Sequence, residues 1–443
     1  MRLQAIATGL VLLATLAANA QPALQAPADQ RAAYDAAFQE TLRNPSDPPT
    51  LIRFAEAAVR VGDLEGAISA LERLLLIEGD QPRIRLELGL LYYRLGSYEV
   101  ARSYLEGARS SPRATAEVRV RAEQGIAEVD RVHGTSRFSG DVLLGLRYST
   151  NANSGPAGSI RALGGPFAPS PAISRRGDFN AVAAANLRHR YDLGRQDGGT
   201  LESDLFLYTA RQFQVGEANV HVIDLAVGPR MNPFEGPTSA FSLKPFLTGR
   251  YVSVHDYPTY WAWGAGIEAA AEFSKTLRGS ATVLGRRRDY VNNADAPTNA
   301  NSSGTEAAGF ADLRFVVVPS VLLTVGASVT RFNAVTAFES YWEYGLGAAL
   351  AWRFTDPLGL NGRSWVLTLS SGVQFADYDQ ANALIDPTVA RRQTDFNVGL
   401  MLAVPITADL GLLAQAAYSQ RSASLNNYAY DAFSTLLGVS WRF

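Results

Sequence analysis

From Phe138 to Phe443 apolar residues recur on every second position, and this alternation limits the fold more than any other feature of the chain. Successive side chains of a strand point to opposite faces, so each such stretch has one apolar and one polar face. The first, FSGDVLLGLRYS, places Val142, Leu144, Leu146 and Tyr148 on one side and Asp141, Gly145 and Arg147 on the other. Similar stretches follow at about 178–193, 200–214, 219–231, 240–253, 260–274, 277–290, 304–317, 321–332, 340–354, 364–377, 392–405, 410–421 and 428–443, fourteen in all. An even number lets a single chain close into a barrel whose two ends leave on the same side. Beyond residue 20 no run of 18 apolar residues occurs, so no transmembrane helix is expected. A spanning barrel needs none, because lipid-facing and lumen-facing residues average to a near-neutral mean hydropathy, here −0.03.

The tryptophans test the barrel independently, since all six lie on the apolar phase of these stretches. With the preceding domain in the periplasm, odd strands run outward. Trp261, Trp263 and Trp342 then fall at the outer interface with Tyr148 and Tyr251, and Trp352, Trp365 and Trp441 fall at the inner one. Trp342 and Trp352 are ten residues apart in one strand. At ~3.3 Å per residue and a tilt of ~40° this spans roughly 25 Å, the height of an apolar band between two aromatic girdles. The same orientation puts the long segments at about 150–177, 291–303 and 378–391 outside the cell and tight turns at 274–276 and 318–320 inside.

The opposite phase faces the lumen. It carries Asp141, Arg147, Arg188, Arg190, Glu202, Asp204, Lys244, Arg250, Glu268, Glu272, Arg286, Arg288, Glu306, Asp312, Arg314, Arg331, Glu343 and Arg353. Mixed signs predict a hydrated interior without strong ion selectivity, or a cross-strand ion-pair network that stiffens the wall. Lumen aromatics read as few, chiefly Phe206, Tyr208, Phe246, Phe310 and Tyr428. Arg287, on the outward phase near the outer rim, is placed to meet solvent or anionic lipid headgroups.

Ahead of the strands, residues 1–20 read as a signal peptide: Arg2 gives a positive start, residues 5–17 an apolar stretch, and Ala18-Asn19-Ala20 a cleavage motif before Gln21. A spacer (21–27), a helical domain (28–132), a linker (133–137) and the barrel (138–443) follow. Within the helical domain VGDLEGAISALERLL around Ala67 recurs as LGSYEVARSYLEGA around Ala101, a period of 34, with Gly62 answering to Gly96 and Leu71 to Leu105. This resembles the tetratricopeptide repeat (TPR), two antiparallel helices with small residues where they cross, stacked because one pair cannot bury both apolar faces. Residues 113–132 read as a capping helix. TPR geometry implies a concave face carrying Glu56, Arg60, Leu90, Tyr93 and Arg94, placed to contact a client chain or merely to solvate the surface. The expected fold is thus an α plus β membrane protein: a TPR-like α-helical solenoid followed by a 14-stranded antiparallel transmembrane β-barrel.

Other chemistries find little to build on. Cysteine is absent, which removes disulfides and thiolate metal sites. The four histidines, His133, His189, His221 and His255, show no i, i+4 spacing for a zinc site. No catalytic triad or phosphate loop stands out, and Glu268 with Glu272 would be matched by any two lumen acids, so no enzyme and no cofactor are expected. A formal net charge of −2 without a basic tail argues against a nucleic-acid partner.

The last strand alternates Leu437, Val439, Trp441 and Phe443 with small and polar residues, and resembles the closing-strand signal read by the outer-membrane barrel insertion machinery. The barrel's opening, SRFSGDVLLGLRYSTNANSGP, has a glycine-bearing first strand and an Asn-rich first loop (Asn151, Asn153). Behind a TPR-like domain and ahead of fourteen strands, it resembles the surface lipoprotein assembly modulators (Slam). That resemblance implies an outer-membrane translocon whose periplasmic repeats engage a client surface lipoprotein or secreted protein, with outer-membrane lipid around the barrel. The alternative is a TPR-linked porin exporting polysaccharide or small solutes, whose lumen should be ringed by aromatics. A structural or adhesin barrel would leave the repeats without a role.

Overall fold

The computed structural model describes residues 28–195, 198–234 and 240–443. The signal peptide expected at 1–20 and the spacer at 21–27 lie outside the described residues. The described chain divides at Arg137/Phe138 into a helical unit and a barrel.

Among the described residues the first unit has six helices: α1 (Ala28–Arg43), α2 (Pro48–Val61), α3 (Leu64–Glu78), α4 (Pro82–Arg94), α5 (Tyr98–Ser110) and α6 (Ala116–His133). Their ends follow the sequence closely. Asp47 accepts from the Thr50 amide (3.1 Å) ahead of Pro48, and Asp63 accepts from the Gly66 amide (2.9 Å), so orphan N-terminal donors are satisfied. Gly62 and Gly96, 34 residues apart, both turn the chain in the left-handed region (φ 84° and 82°). This is the helix-ending conformation that residues with a Cβ resist.

Ala67 and Ala101 are fully buried where helices cross, and a Cβ on Gly89 would come within 2.6 Å of Leu105. The helices share two cores. One holds Leu51, Phe54, Leu74 and Leu88; the other holds Leu86, Leu105, Val118 and Ile126. Each fully buried leucine contributes about 1.5–3 kcal/mol. Tyr92 and Tyr104 stack at 5.5 Å and both donate to Glu72 (2.7 and 3.1 Å), which ties α3 to α4 and α5.

The second unit is a closed antiparallel barrel of fourteen strands. In chain order they are β1 (Ser136–Ser149), β4 (Asp178–Asp192), β5 (Thr200–Gln212), β6 (Val220–Arg230), β7 (Phe241–Val254), β8 (Tyr257–Glu272), β9 (Leu277–Tyr290), β10 (Gly304–Val318), β11 (Val321–Ala334), β12 (Tyr341–Phe354), β13 (Trp365–Ala381), β14 (Ala390–Pro405), β15 (Leu410–Ala423) and β16 (Tyr430–Arg442). Two short strands, β2 (Ile160–Ala162) and β3 (Gly165–Phe167), form a hairpin inside the first long loop and were not expected from the sequence. Because β13 runs on to Ala381 and β14 begins at Ala390, the loop expected at 378–391 shrinks to 382–389.

β1 and β16 close the ring in register from Asp141↔Arg442 to Ser149↔Ser434, extended by reciprocal amide bonds between Gly140 and Phe443 (3.0 and 3.1 Å). Every strand therefore pairs on both sides and no edge is exposed, the condition a sheet must meet within hydrocarbon. The outward phase is apolar and exposed, as Leu146, Leu247, Val283, Leu346 and Leu437 illustrate. No helix among the described residues is long and apolar enough to cross a membrane, and the barrel crosses with strands instead. These features make it a transmembrane barrel and support an outer-membrane location.

Candidate functional site: the lumen and its loop-end belt

The barrel has a terminus rim, where β1 starts and β16 ends, and an opposite loop rim, which carries residues 150–177, 291–303, 335–340, 382–389 and 424–429. Two-residue periodicity aims alternate side chains of every strand inward, and the inward set differs markedly between the two halves.

Toward the terminus rim it forms an ion-pair network. Glu202 on β5 meets Arg190 of β4 (3.1 Å), Arg230 of β6 (3.0 Å) and Lys244 of β7 (3.5 Å). Asp204 pairs with Arg188 (2.6 Å) and with Lys244, and Arg230 reaches on to Glu268 of β8 (2.7 Å). Glu272 pairs with Arg278 at 2.9 Å. Asn186 donates to Asp141 (3.0 Å), joining β4 to β1. Five adjacent strands, β4 to β8, are laced together by these contacts, the stiffening role foreseen as one of two uses for the lumen charges.

Toward the loop rim guanidiniums alternate with aromatic rings. On β9 Arg288 lies over Phe332 of β11 (4.7 Å) and Tyr260 of β8 (5.8 Å), pairs with Glu306 of β10, and donates to the Tyr341 hydroxyl of β12 (3.3 Å). Arg286 also donates to Glu306 (2.9 Å), and Arg250 pairs with Asp224. Tyr260 packs on Tyr290 (5.0 Å), Phe332 on Tyr341 (5.6 Å) and Tyr341 on Tyr378 of β13 (5.1 Å). Arg391 of β14 sits between Tyr378 (4.1 Å) and Tyr428 (3.9 Å), the latter from the turn before β16. Arg421 of β15 grips Asp395 through two bonds (2.5 and 2.7 Å) and lies over Tyr430 of β16 (5.4 Å). The belt thus runs unbroken from β8 to β16. At the same level β4 to β7 present Val182, Ala210, Val220 and Val252 instead.

This corrects two sequence readings. The lumen is not poor in aromatics: Tyr260, Tyr290, Phe332, Tyr341, Tyr378 and Tyr430 join Tyr428 at one end of it. Tyr260 and Tyr341 directly precede Trp261 and Trp342, so each is the inward member of an aromatic pair whose outward member draws the eye. Asp224, Arg230, Arg391, Asp395 and Arg421 were likewise missed, although strand phase alone identifies them. Arg331 does not face the lumen. It shares the outward phase with Val325 and Val329, lies over Trp342 (5.5 Å) and pairs with Asp379 (2.6 Å), because a long cationic side chain at a strand end can reach the interface. Arg287 is also outward and pairs with Asp289 (2.8 Å).

Of the girdle residues, Trp261, Trp263 and Trp342 are exposed near the loop rim, with Tyr148 and with Tyr251, which packs on Trp261 at 4.3 Å. Trp352 and Trp441 are exposed near the terminus rim. Trp365 is the exception. It lies on the outward phase but is buried, with its ring 6.2 Å from that of Phe354. Leu437, Val439, Trp441 and Phe443 share the outward face of the closing strand. In the helical unit Glu56, Arg60 and Arg94 are exposed, whereas Leu90 and Tyr93 are half-buried against the second core.

The first loop is fastened to its neighbours on the loop rim. Its hairpin donates from Leu163 and Gly164 amides to the carbonyls of Leu384 and Ile385, Arg161 pairs with Asp386, and Asn427 donates to the Arg161 carbonyl (2.8 Å). Asn151 donates to the Gly155 carbonyl (2.9 Å) and Asn153 to that of Ser174 (2.7 Å), so both asparagines order the loop internally.

No protein-family model matches the chain, and no curated protein matches it. Solved structures with a similar fold divide between the two units. The type III secretion translocator chaperone SycD of Yersinia enterocolitica is 13% identical over 23% of this chain and 72% of its own, with a TM-score of 0.21. A loop-deleted OmpT, an outer membrane protein of Vibrio cholerae, is 9% identical over 70% of this chain and 100% of its own, at 0.35. A bacterial polysaccharide outer membrane secretin is 10% identical over 68% and 98%, at 0.34.

Proposed function

We propose that the protein is an outer-membrane conduit in which the helical unit, on the periplasmic side, engages a client chain and the barrel assists its passage to the cell surface. This is the role of Slam-type translocons for surface lipoproteins and secreted proteins. The observation that carries the reading is the joining of two kinds of unit in one chain: a TPR-like stack whose last helix ends at His133, and a closed barrel whose first strand begins at Ser136. Repeat stacks of this kind supply extended peptide-binding faces, and Glu56, Arg60 and Arg94 supply exposed charge on this one. The reading assigns the chain no catalytic step, and gives Leu437, Val439, Trp441 and Phe443 the role of contact with the insertion machinery.

Deleting residues 28–132 while keeping the leader and barrel tests it. Surface display of a co-encoded client, measured by labelling intact cells, should fall to background while the barrel still shows heat-dependent gel mobility. Undiminished display would overturn the reading.

A second reading, an exporter of polysaccharide or small solutes, takes its motive from the presence of tyrosines and arginines on the inward phase at the loop end of the barrel. Large conductance in planar bilayers with sugar-dependent block, and no dependence of protein display on the helical unit, would favour it.

A further inference from the structure

The outward wall of the barrel is hollowed along β10. From the loop end its outward residues are Thr305, Ala307, Gly309 and Ala311, and only at Leu313 does a large side chain return. The register sets Gly285 of β9 beside Ala307, so the floor is wide as well as low. Larger residues form the banks, Ile267 and Val283 on one side, Val329 and Trp342 on the other. Together they bound an open-sided groove of about 610 Å³. Small residues alone select nothing, since bulk lipid fills any hollow in a barrel wall. What distinguishes this hollow is its loop end, where each bank carries a cation: Arg287 of β9 faces Thr305, and Arg331 of β11 faces Ala307. Arg331 lies over Trp342 (5.5 Å) and is engaged by Asp379. Arg287 donates to Asp289 through Nε (2.8 Å), and among the described residues its two terminal nitrogens have no hydrogen-bond partner. They form an in-plane donor pair, the geometry that takes two phosphate oxygens. Trp263 and Trp342 are the cross-strand neighbours of the two arginines, which puts both cations at the level of the aromatic girdle, where lipid headgroups lie.

We propose that this groove is a binding site for one phosphorylated glycolipid of the outer leaflet. An acyl chain lies along β10 over Ala307 and Gly309, and a phosphate pairs with Arg287. The two ends of such a lipid are matched in order by an apolar channel and a cation at its loop end. The choice of the outer leaflet rests on the periplasmic place proposed for the helical unit.

The test is native mass spectrometry of the full-length protein in detergent with three probes: lipid A carrying two phosphates, its dephosphorylated form, and phosphatidylglycerol. Lipid A should be retained one to one, with the other two held at least about tenfold more weakly. Arg287→Gln should bring lipid A down to the level of its dephosphorylated form. Gly309→Leu should block the acyl chain and weaken lipid A binding at least about tenfold. A Cβ at Gly309 meets nothing closer than Val329 at 3.4 Å, so this variant is expected to fold, and heat-dependent gel mobility confirms it. Leu247→Ala, outward and exposed on β7, should bind as the unaltered protein does. No retention of lipid A, equal retention of its dephosphorylated form or of phosphatidylglycerol, or binding unaffected by Gly309→Leu in the folded barrel would overturn the proposal. Binding in detergent needs no client and no transport, so such a failure leaves the conduit reading untouched. Undiminished client display without residues 28–132 would overturn that reading and leave the lipid site standing.

Discussion

Glu202 holds three cations of three different strands and is almost wholly enclosed, with a side chain 2% exposed. Removing its charge leaves Arg190, Arg230 and Lys244 facing one another. Glu202→Gln should therefore destabilise the barrel by about 1–3 kcal/mol, read as a lower temperature for the gel-mobility transition. Glu268→Gln, which takes one contact from an arginine that keeps Glu202, should cost less. In the helical unit the hydrogen bond from Tyr92 to Glu72, reinforced by burial, pushes the Tyr92 phenol up from 10.0 to about 12. The folded value lies above the unfolded one, so its stabilising contribution is complete below about pH 10 and disappears as pH rises through about 12. Helical circular dichroism followed on heating should show falling stability across that window. Tyr92→Phe should start from a lower stability, by about 0.5–1.5 kcal/mol, and show a shallower decline.

The strands were legible because each carries the period-two pattern over ten or more residues, and all fourteen lie within a few residues of where the alternation places them. The β2–β3 hairpin was not, because three residues are too few to show a period. Its turn sets Leu163 and Gly164 both at positive φ (50° and 80°), the twist a two-residue hairpin needs, but with leucine where asparagine or aspartate would have signalled it. The lumen belt was legible in principle and was overlooked, since Tyr290, Tyr378 and Tyr430 stand at or near strand ends where phase is least certain. At the seam Gly145 faces Gly438, and a Cβ on Gly438 would meet the Leu144 carbonyl at 2.7 Å and Leu143 at 2.9 Å. Gly438→Val should therefore prevent ring closure and abolish the heat-dependent mobility shift. Phe443→Ala keeps the seam's register but removes the aromatic, and should lower the amount of barrel reaching the membrane without altering the transition temperature of what does.

For the molecule as a whole, an apolar outward face, exposed tryptophans near both rims and a ring without edges account for a barrel in lipid, and the 34-residue period accounts for the stack ahead of it. Which way the barrel faces follows from the proposed periplasmic place of the helical unit, and the conduit reading depends on it: a client can be received only if Glu56 and its neighbours lie on the inner side and the fastened first loop on the outer. The absence of cysteine makes this directly measurable. Leu163→Cys, at the exposed hairpin turn, and Glu56→Cys, on the exposed face of α2, each introduce one thiol for a membrane-impermeant maleimide. The account predicts that intact cells label Leu163→Cys at once and label Glu56→Cys only after the outer membrane is permeabilised. Labelling of Glu56→Cys in intact cells, with Leu163→Cys protected, would contradict it.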